Sequence, residues 1–255
     1  MTILHLRVPQ WDQFRGLVHG FLGRRGGRSQ PPYASLNMSY DNGDDVRTVK
    51  QNWCELKVAL GLSDVNVITV NQVHGDTILT APNGTGNRAG VGDGLMTDVP
   101  GLLLGIMAAD CVPLLFVEPG RKIAAAVHAG WRGTAASIAA RAVTRMREEY
   151  RTDPSALRVA MGPSIGPCCY EVGREVAEQI QANWPEALRD AWRPDGAKGR
   201  LDLKAINEAQ LVDVGVPRSH IQKIGPCTAC NVEDFFSYRK EGKTGSQLSF
   251  IGWLS

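Results

Sequence analysis

Several things are scarce in this chain. Aromatic residues make up 7% of its 255 positions and the formal net charge is only +2. So balanced a chain offers no strong field for nucleic acid or an anionic membrane surface. The longest apolar run, "PGLLLGIMAADCVPLLFVEP" (100–119), is broken by Gly105, Asp110, Cys111 and Pro113. That interruption comes before the roughly 20 apolar residues a spanning helix needs, so the run reads as buried strands. The opening "MTILHLRVPQW" lacks the basic, apolar and small-residue succession of a leader peptide, and a cytoplasmic location is expected. Histidine occurs five times, at 5, 19, 74, 128 and 220. Repeats, low-complexity linkers and coiled-coil heptads are missing, which predicts one domain over 1–255 and a monomer.

Six cysteines are present, at 54, 111, 168, 169, 227 and 230. In a cytosolic chain of this length they read as thiols or metal ligands rather than as a disulfide framework. A single C-x-x-C, "CTAC", beside the adjacent pair in "GPCCYE" is not the paired knuckle of structural zinc. Free thiols are therefore expected there, with Cys227 near the site and open to oxidation.

Strands and helices alternate. Asp44 or Asp45 caps a helix over 44–61 whose apolar positions are Val46, Val49, Trp53, Leu56 and Leu60, stopped by Gly61. "VNVITVNQVH" (65–74) is a β-branched strand ending at His74; "GLLLGIM", "PLLFVE" and "KIAAAV" are three more. Past Trp131-Arg132-Gly133 the period changes to that of a helix running to about Tyr150, with Thr134 as cap. A strand through Met161 meets a Gly/Pro loop and a helix from about Val172. "LDLKAINEAQLVDVG" is a helix capped by Asp202 and stopped by Gly215. The pattern predicts a layered α/β sandwich with mixed sheets. The basic loop "GRRGGRSQPPY" (23–33) reads as solvated.

His74, Cys111 and His128 stand at strand ends, where α/β folds place their chemistry. Two imidazoles and a thiolate make a three-ligand zinc set with a fourth position open. Their separations of 37 (111 − 74) and 17 (128 − 111) match no compact zinc motif. Two other readings stay open: Cys111 as a nucleophile with His128 as base, or Cys111 as a small buried hydrophobe.

Longer motifs go further. "NQVHGD", "DGLMTDVPGLLLGIMAADCVPLLF", "AAVHAGWRGT", "GPSIGPCCYEVG" and "FFSYRKEGKTG" occur in this order, after "HGFLGRRGG" and "PYASLN". Together they resemble the YfiH/laccase-domain family of purine nucleoside phosphorylases, formerly described as polyphenol oxidoreductases. The match runs from about His19 to Leu254. Departures are Gly23, where Ser or Thr often precedes the motif arginine, Lys240 in place of a second arginine, and "TGSQ" without a terminal arginine.

The resemblance implies a CNF1/YfiH-like α/β sandwich and one zinc on His74, Cys111 and His128. It also implies phosphorolysis of adenosine, inosine and S-methyl-5'-thioadenosine, with adenosine deamination as a second activity. Within that expectation Gly130 allows close backbone approach and the following helix offers amides to an anion. Arg24, Arg132 and Arg239 are the phosphate candidates. Asp93 and Asp110 are candidates for proton transfer or ligand support. Ser35, Asn37, Phe235 and Tyr238 are candidates for lining a nucleoside pocket. The competing activities are a copper-dependent polyphenol oxidase, for which five histidines are too few to build a multinuclear site, a cysteine hydrolase acting on cell-wall peptides or amides, and a noncatalytic zinc-stabilised binding protein.

Overall fold

Strands that are apolar at every position must be covered on both faces, and this architecture covers them. The computed structural model describes residues 3–82 and 86–254. One six-stranded sheet runs, edge to edge, through His5–Leu6, Leu17–Leu22, Gln247–Trp253, Leu102–Ala108, Asn66–Asn71 and Arg88–Val91. The other runs through Ile221–Lys223, Arg158–Met161, Val112–Glu118, Ile123–Ala129, Gly94–Thr97 and Ile78–Thr80. Both are mixed: Asn66–Asn71 pairs parallel with Leu102–Ala108, which pairs antiparallel with Gln247–Trp253. In the second sheet the antiparallel centre is flanked by two parallel edge pairs.

The two-residue period of a strand sorts the side chains into layers. Leu115, Val117, Ala124 and Ala126 meet Phe21, Leu104, Ile106 and Ile251 of the first sheet. Their neighbours Leu114, Phe116, Ala125 and Val127 turn the other way, onto Ile138, Ala139, Ala142, Val143 and Met146 of a helix. The outer face of the first sheet, Leu103, Leu248 and Phe250, packs on Leu56 of the helix Val46–Ala59. The result is helix, sheet, sheet, helix, the layered mixed-sheet sandwich expected from the alternation. A three-stranded sheet, Glu171–Gly173, Lys198–Leu201 and Trp192–Asp195, lies beside it.

Local signals explain most boundaries. Asp45 accepts the Thr48 amide to start Val46–Ala59, and Gly61 takes φ +68° just past its end. Asp202 does the same for Leu203–Asp213 through the Ala205 amide. The strand expected to reach His74 stops at Asn71, because the Gln72 side chain takes over the pairing: Met107 N donates to its Oε1 at 2.7 Å and its Nε2 donates to Met107 O at 2.8 Å.

The helix expected from Thr134 onward is two helices, Trp131–Ala135 and Ile138–Tyr150. Tertiary bonds interrupt it. Asn183 Nδ2 takes the Ala135 carbonyl, Trp184 Nε1 donates to Ser137 Oγ, and Ser137 turns to φ +67°. Thr134 is therefore no cap; it lies inside the first helix, bonded by Asn207 Nδ2. The helix expected near Val172 begins at Arg174, since Glu171–Gly173 is a strand. The basic loop is tied down: Asn52, buried in the helix, accepts the Arg28 amide and donates to Ser29 Oγ and the Asn37 carbonyl.

Candidate metal centre

The hairpin Val112–Glu118/Ile123–Ala129 creates the site by register. It pairs Pro113 with His128 and Val112 with Ala129, so Cys111, one residue before the first strand, arrives beside the end of the second. His74 comes from the loop after Asn66–Asn71, and its φ of +58° turns the chain toward them. Asp110 takes φ +88° immediately before Cys111. Two left-handed non-glycine residues at one site are a local cost, roughly 1–3 kcal/mol each, that the surrounding structure has to hold.

The ligand atoms of His74, Cys111 and His128 lie within 4.8 Å of one another, and the two imidazoles meet edge to face with centroids 4.9 Å apart. This is the distance scale set by bonds of about 2.0–2.3 Å to a shared zinc. His128 is buried and His74 exposed, so the set is closed on one side and open on the other. A Cβ on Gly130 would come 3.1 Å from Cys111 Sγ and 3.2 Å from His74 Cδ2. Only a glycine leaves those two side chains undisturbed.

Fully buried Asp93 organises the centre. Its Oδ1 accepts from His128 Nδ1 at 2.9 Å and from the His74 amide at 3.0 Å. Its Oδ2 accepts the Gly75 and Val73 amides, and its carbonyl accepts the His128 amide. The carboxylate thus fixes the His128 tautomer, leaving Nε2 as the ligand atom, and shapes the loop carrying His74. The charges reinforce one another. Burial opposes ionisation of Cys111, but His128 and His74 outweigh it and bring the thiol down to about 6. Burial likewise disfavours the imidazolium of His128, yet Cys111 and Asp93 raise it to about 9. Burial works against ionised Asp93 as well, and the bonds from His128 and Gly75 more than offset it, holding the carboxyl below its usual value.

Asp110 makes no hydrogen bond to the triad's ligand atoms among the described residues. Its carboxylate joins two loops, accepting Thr228 Oγ1 at 2.6 Å and the Arg239 amide at 2.7 Å, while its carbonyl accepts the Ile165 amide. Arg239 is thereby brought near the centre, its guanidinium 5.0 Å over the Tyr170 ring and bonded to the Glu171 carbonyl. Arg132 stacks 4.4 Å over Trp131, is exposed, and makes no ion pair among the described residues. Its helix, Trp131–Ala135, is a single turn and has little macrodipole to offer an anion.

Other expected residues stand elsewhere. Arg24 spends its guanidinium on the carbonyls of Ala34 and Val232 and on Glu241, under Phe236. Ser35 Oγ bonds the Arg24 carbonyl and the amides of Gly26 and Gly27. Asn37 is bound to Asp44, Asn42 and the Ser246 amide. No hydrogen bond joins these three to the triad among the described residues. Phe235 is buried, whereas Tyr238 is 69% exposed at the start of the short helix Tyr238–Glu241.

One neighbour was not anticipated. Tyr170 is buried where the charges of Cys111, Asp110, Arg239 and Arg132 all reach it; burial first, then the negative groups, push its hydroxyl above the ordinary phenol value. Its position directly after the cysteine pair of "GPCCYE" was the available signal. A cleft of about 880 Å³ is lined by Met38, Trp53, Lys57, Arg88 and Met107 and by none of the triad.

Helix layers on two mixed sheets, with an aspartate-braced His–Cys–His set at the strand ends, define an α/β sandwich that carries a candidate metal site. The chain belongs to the family described as multi-copper polyphenol oxidoreductase laccase, whose model matches residues 18–254. It is 40% identical over 250 residues to the purine nucleoside phosphorylase YlmD of Geobacillus stearothermophilus, covering 94% of this chain and 91% of that one. The purine nucleoside phosphorylase YfiH of Escherichia coli is 36% identical over 251 residues, covering 98% of both chains. Among solved structures, Bacillus licheniformis YfiH superimposes with a TM-score of 0.92 at 33% identity, covering 98% of this chain and 96% of that one.

Proposed function

We propose that this protein is a zinc-dependent purine nucleoside phosphorylase, with adenosine, inosine and S-methyl-5'-thioadenosine as substrates and adenosine deamination as a side activity. The observation that carries this reading is the His74–Cys111–His128 set on its Asp93 brace, in a chain whose relatives bear the phosphorylase name. The donors suit zinc, being two imidazoles and one thiolate with a face left open. When bound, zinc supplies Lewis acidity at that open position.

The chain's own residues do the rest. Asp93 keeps His128 in one tautomer and position, so the site is formed before substrate arrives. Arg132 and Arg239 hold the phosphate: both are exposed and both flank Tyr170, and a guanidinium fork matches phosphate oxygens. Tyr170 stays neutral and offers its ring and hydroxyl to the nucleoside. Asp110 acts through the loops it joins, setting the Arg239 main chain. Arg24, Ser35 and Asn37 support the neighbouring loop instead of touching substrate.

Copper oxidation is the weaker reading of the same donors. His5 Nε2 bonds the His19 carbonyl, His19 Nε2 accepts the Val8 amide, and His220 bonds Arg158, so no second imidazole group forms among the described residues. The cysteine-hydrolase reading has one specific support, the low thiol of Cys111 beside raised His128. We place the protein in the cytoplasm as a monomer; no helix of the described residues is long and apolar enough to cross a membrane.

The test follows adenine, ribose 1-phosphate and inosine separately from adenosine, for wild type and for His74→Ala, Cys111→Ala and His128→Ala. Phosphate-dependent adenine release lost in all three supports the proposal. A wild type that holds zinc yet converts no nucleoside overturns it, and an acyl adduct on Cys111 would then establish the hydrolase.

A further inference from the structure

The chain holds a second metal-ligating group that the triad does not use. Cys168, Cys169, Cys227 and Cys230 place their four Sγ atoms within 4.8 Å of one another. Sequence spacing hides this, because 58 residues separate Cys169 from Cys227 (227 − 169). A parallel bridge between Ser164 and Cys227 closes the gap, with the Thr228 amide bonded to the Ser164 carbonyl. Cys168 and Cys169 sit in a tight turn closed by the Cys169 and Tyr170 amides on the Gly166 carbonyl.

We propose that these four thiolates bind a structural zinc ion. Three observations carry it. First, the sulfurs of Cys169 and Cys230 at 3.3 Å and of Cys168 and Cys230 at 3.6 Å are near the edge of a tetrahedron with metal–sulfur bonds of about 2.3 Å and far beyond a disulfide bond of about 2.05 Å. Second, Cys227 Sγ accepts the Gly166 amide at 3.2 Å and also faces the Cys230 amide, and such donors stabilise a thiolate without competing for the metal. Third, cations stand beside the cluster: Arg200 donates to the Cys168 carbonyl, and Lys204 lies close enough to act on Cys227. Zinc on four thiolates carries two net negative charges, and these side chains offset them.

Loading forms four Zn–S bonds and breaks four S–H bonds, whose protons leave to solvent; no electron is transferred. The ion would clamp the Gly162–Tyr170 segment to the loop around Thr228. Both are bonded to Asp110, the residue before Cys111. The second zinc therefore braces the wall of the first centre from outside. Its existence does not depend on the activity proposed above.

Zinc is counted per chain in wild type, in His128→Ala, in the double variant Cys168→Ser/Cys230→Ser, and in all three substitutions combined, each equilibrated with zinc and freed of excess. X-ray absorption is recorded on His128→Ala. The expected counts are two, one, one and none, and the zinc left in His128→Ala shows four sulfur neighbours at about 2.3 Å. If the cysteine variants do not fold, the His128→Ala spectrum decides alone. A His128→Ala protein without zinc, a residual zinc with nitrogen or oxygen neighbours, or a Cys–Cys disulfide in the cluster overturns the proposal. One zinc in wild type that survives in His128→Ala on four sulfurs upholds it and removes zinc from the triad.

Discussion

The two ligand groups differ in almost every respect that matters to a metal. The triad draws three mixed donors from strand ends, keeps one side open, and is held by a buried carboxylate bonded to both histidine segments. The cysteine cluster draws four identical donors from two loops, has no acidic brace among the described residues, and lies beside backbone amides and neighbouring cations. An open set of three suits turnover, and a closed set of four suits holding chain together. Loops bonded to Asp110 connect the two groups.

This contrast breaks if function does not follow it. The largest effect belongs to the triad: Cys111→Ala or His128→Ala reduces nucleoside cleavage to background and removes one zinc, measured by product chromatography and metal analysis. Asp93→Asn keeps the shape but weakens the acceptor for His128 and three amides. Zinc affinity or activity is expected to fall about 10–100-fold, read by competition with a chelator. Arg132→Ala leaves zinc content intact and raises the KM for phosphate about tenfold, the size of one charge-assisted contact; an unchanged KM would remove Arg132 from the phosphate site. Cys168→Ser/Cys230→Ser lowers the thermal midpoint by roughly 5–10 °C, as loss of a few kcal/mol does in a chain of this size, while most activity persists.

A pH experiment sharpens the triad further. In chelated protein, alkylation of Cys111 is fast above about pH 6 and lost below it, whereas an ordinary thiol slows already below its usual value of about 8.5. Because the folded value lies below the unfolded one, this group stabilises the chelated protein fully above the unfolded value, and the contribution disappears as pH falls through about 6. A midpoint near 8.5 would show that His128 and His74 do not act on the thiol.

Much of the layer order is legible in local sequence signals. Caps at Asp45 and Asp202 and doubly apolar strands at 102–108, 112–118 and 123–129 are local signals, and they gave the right elements. The triad was legible by residue type and motif rather than by spacing, since its members meet only through strand register. What sequence hid is long-range: the break at Ser137 set by Asn183 and Trp184, the cysteine cluster closed by the Ser164 bridge, and Tyr170 beside Cys111. Arg24 illustrates the same limit. Its motif marks it as noteworthy, but only the fold shows that carbonyls and Glu241 occupy its donors.

The most direct test of the central claim is a phosphorus NMR record of adenosine incubated with phosphate and zinc-analysed protein. The account predicts a ribose 1-phosphate resonance that grows in step with free adenine and is absent from Cys111→Ala. Adenine released at the same rate without phosphate, or no nucleoside consumed by zinc-loaded protein, would contradict it.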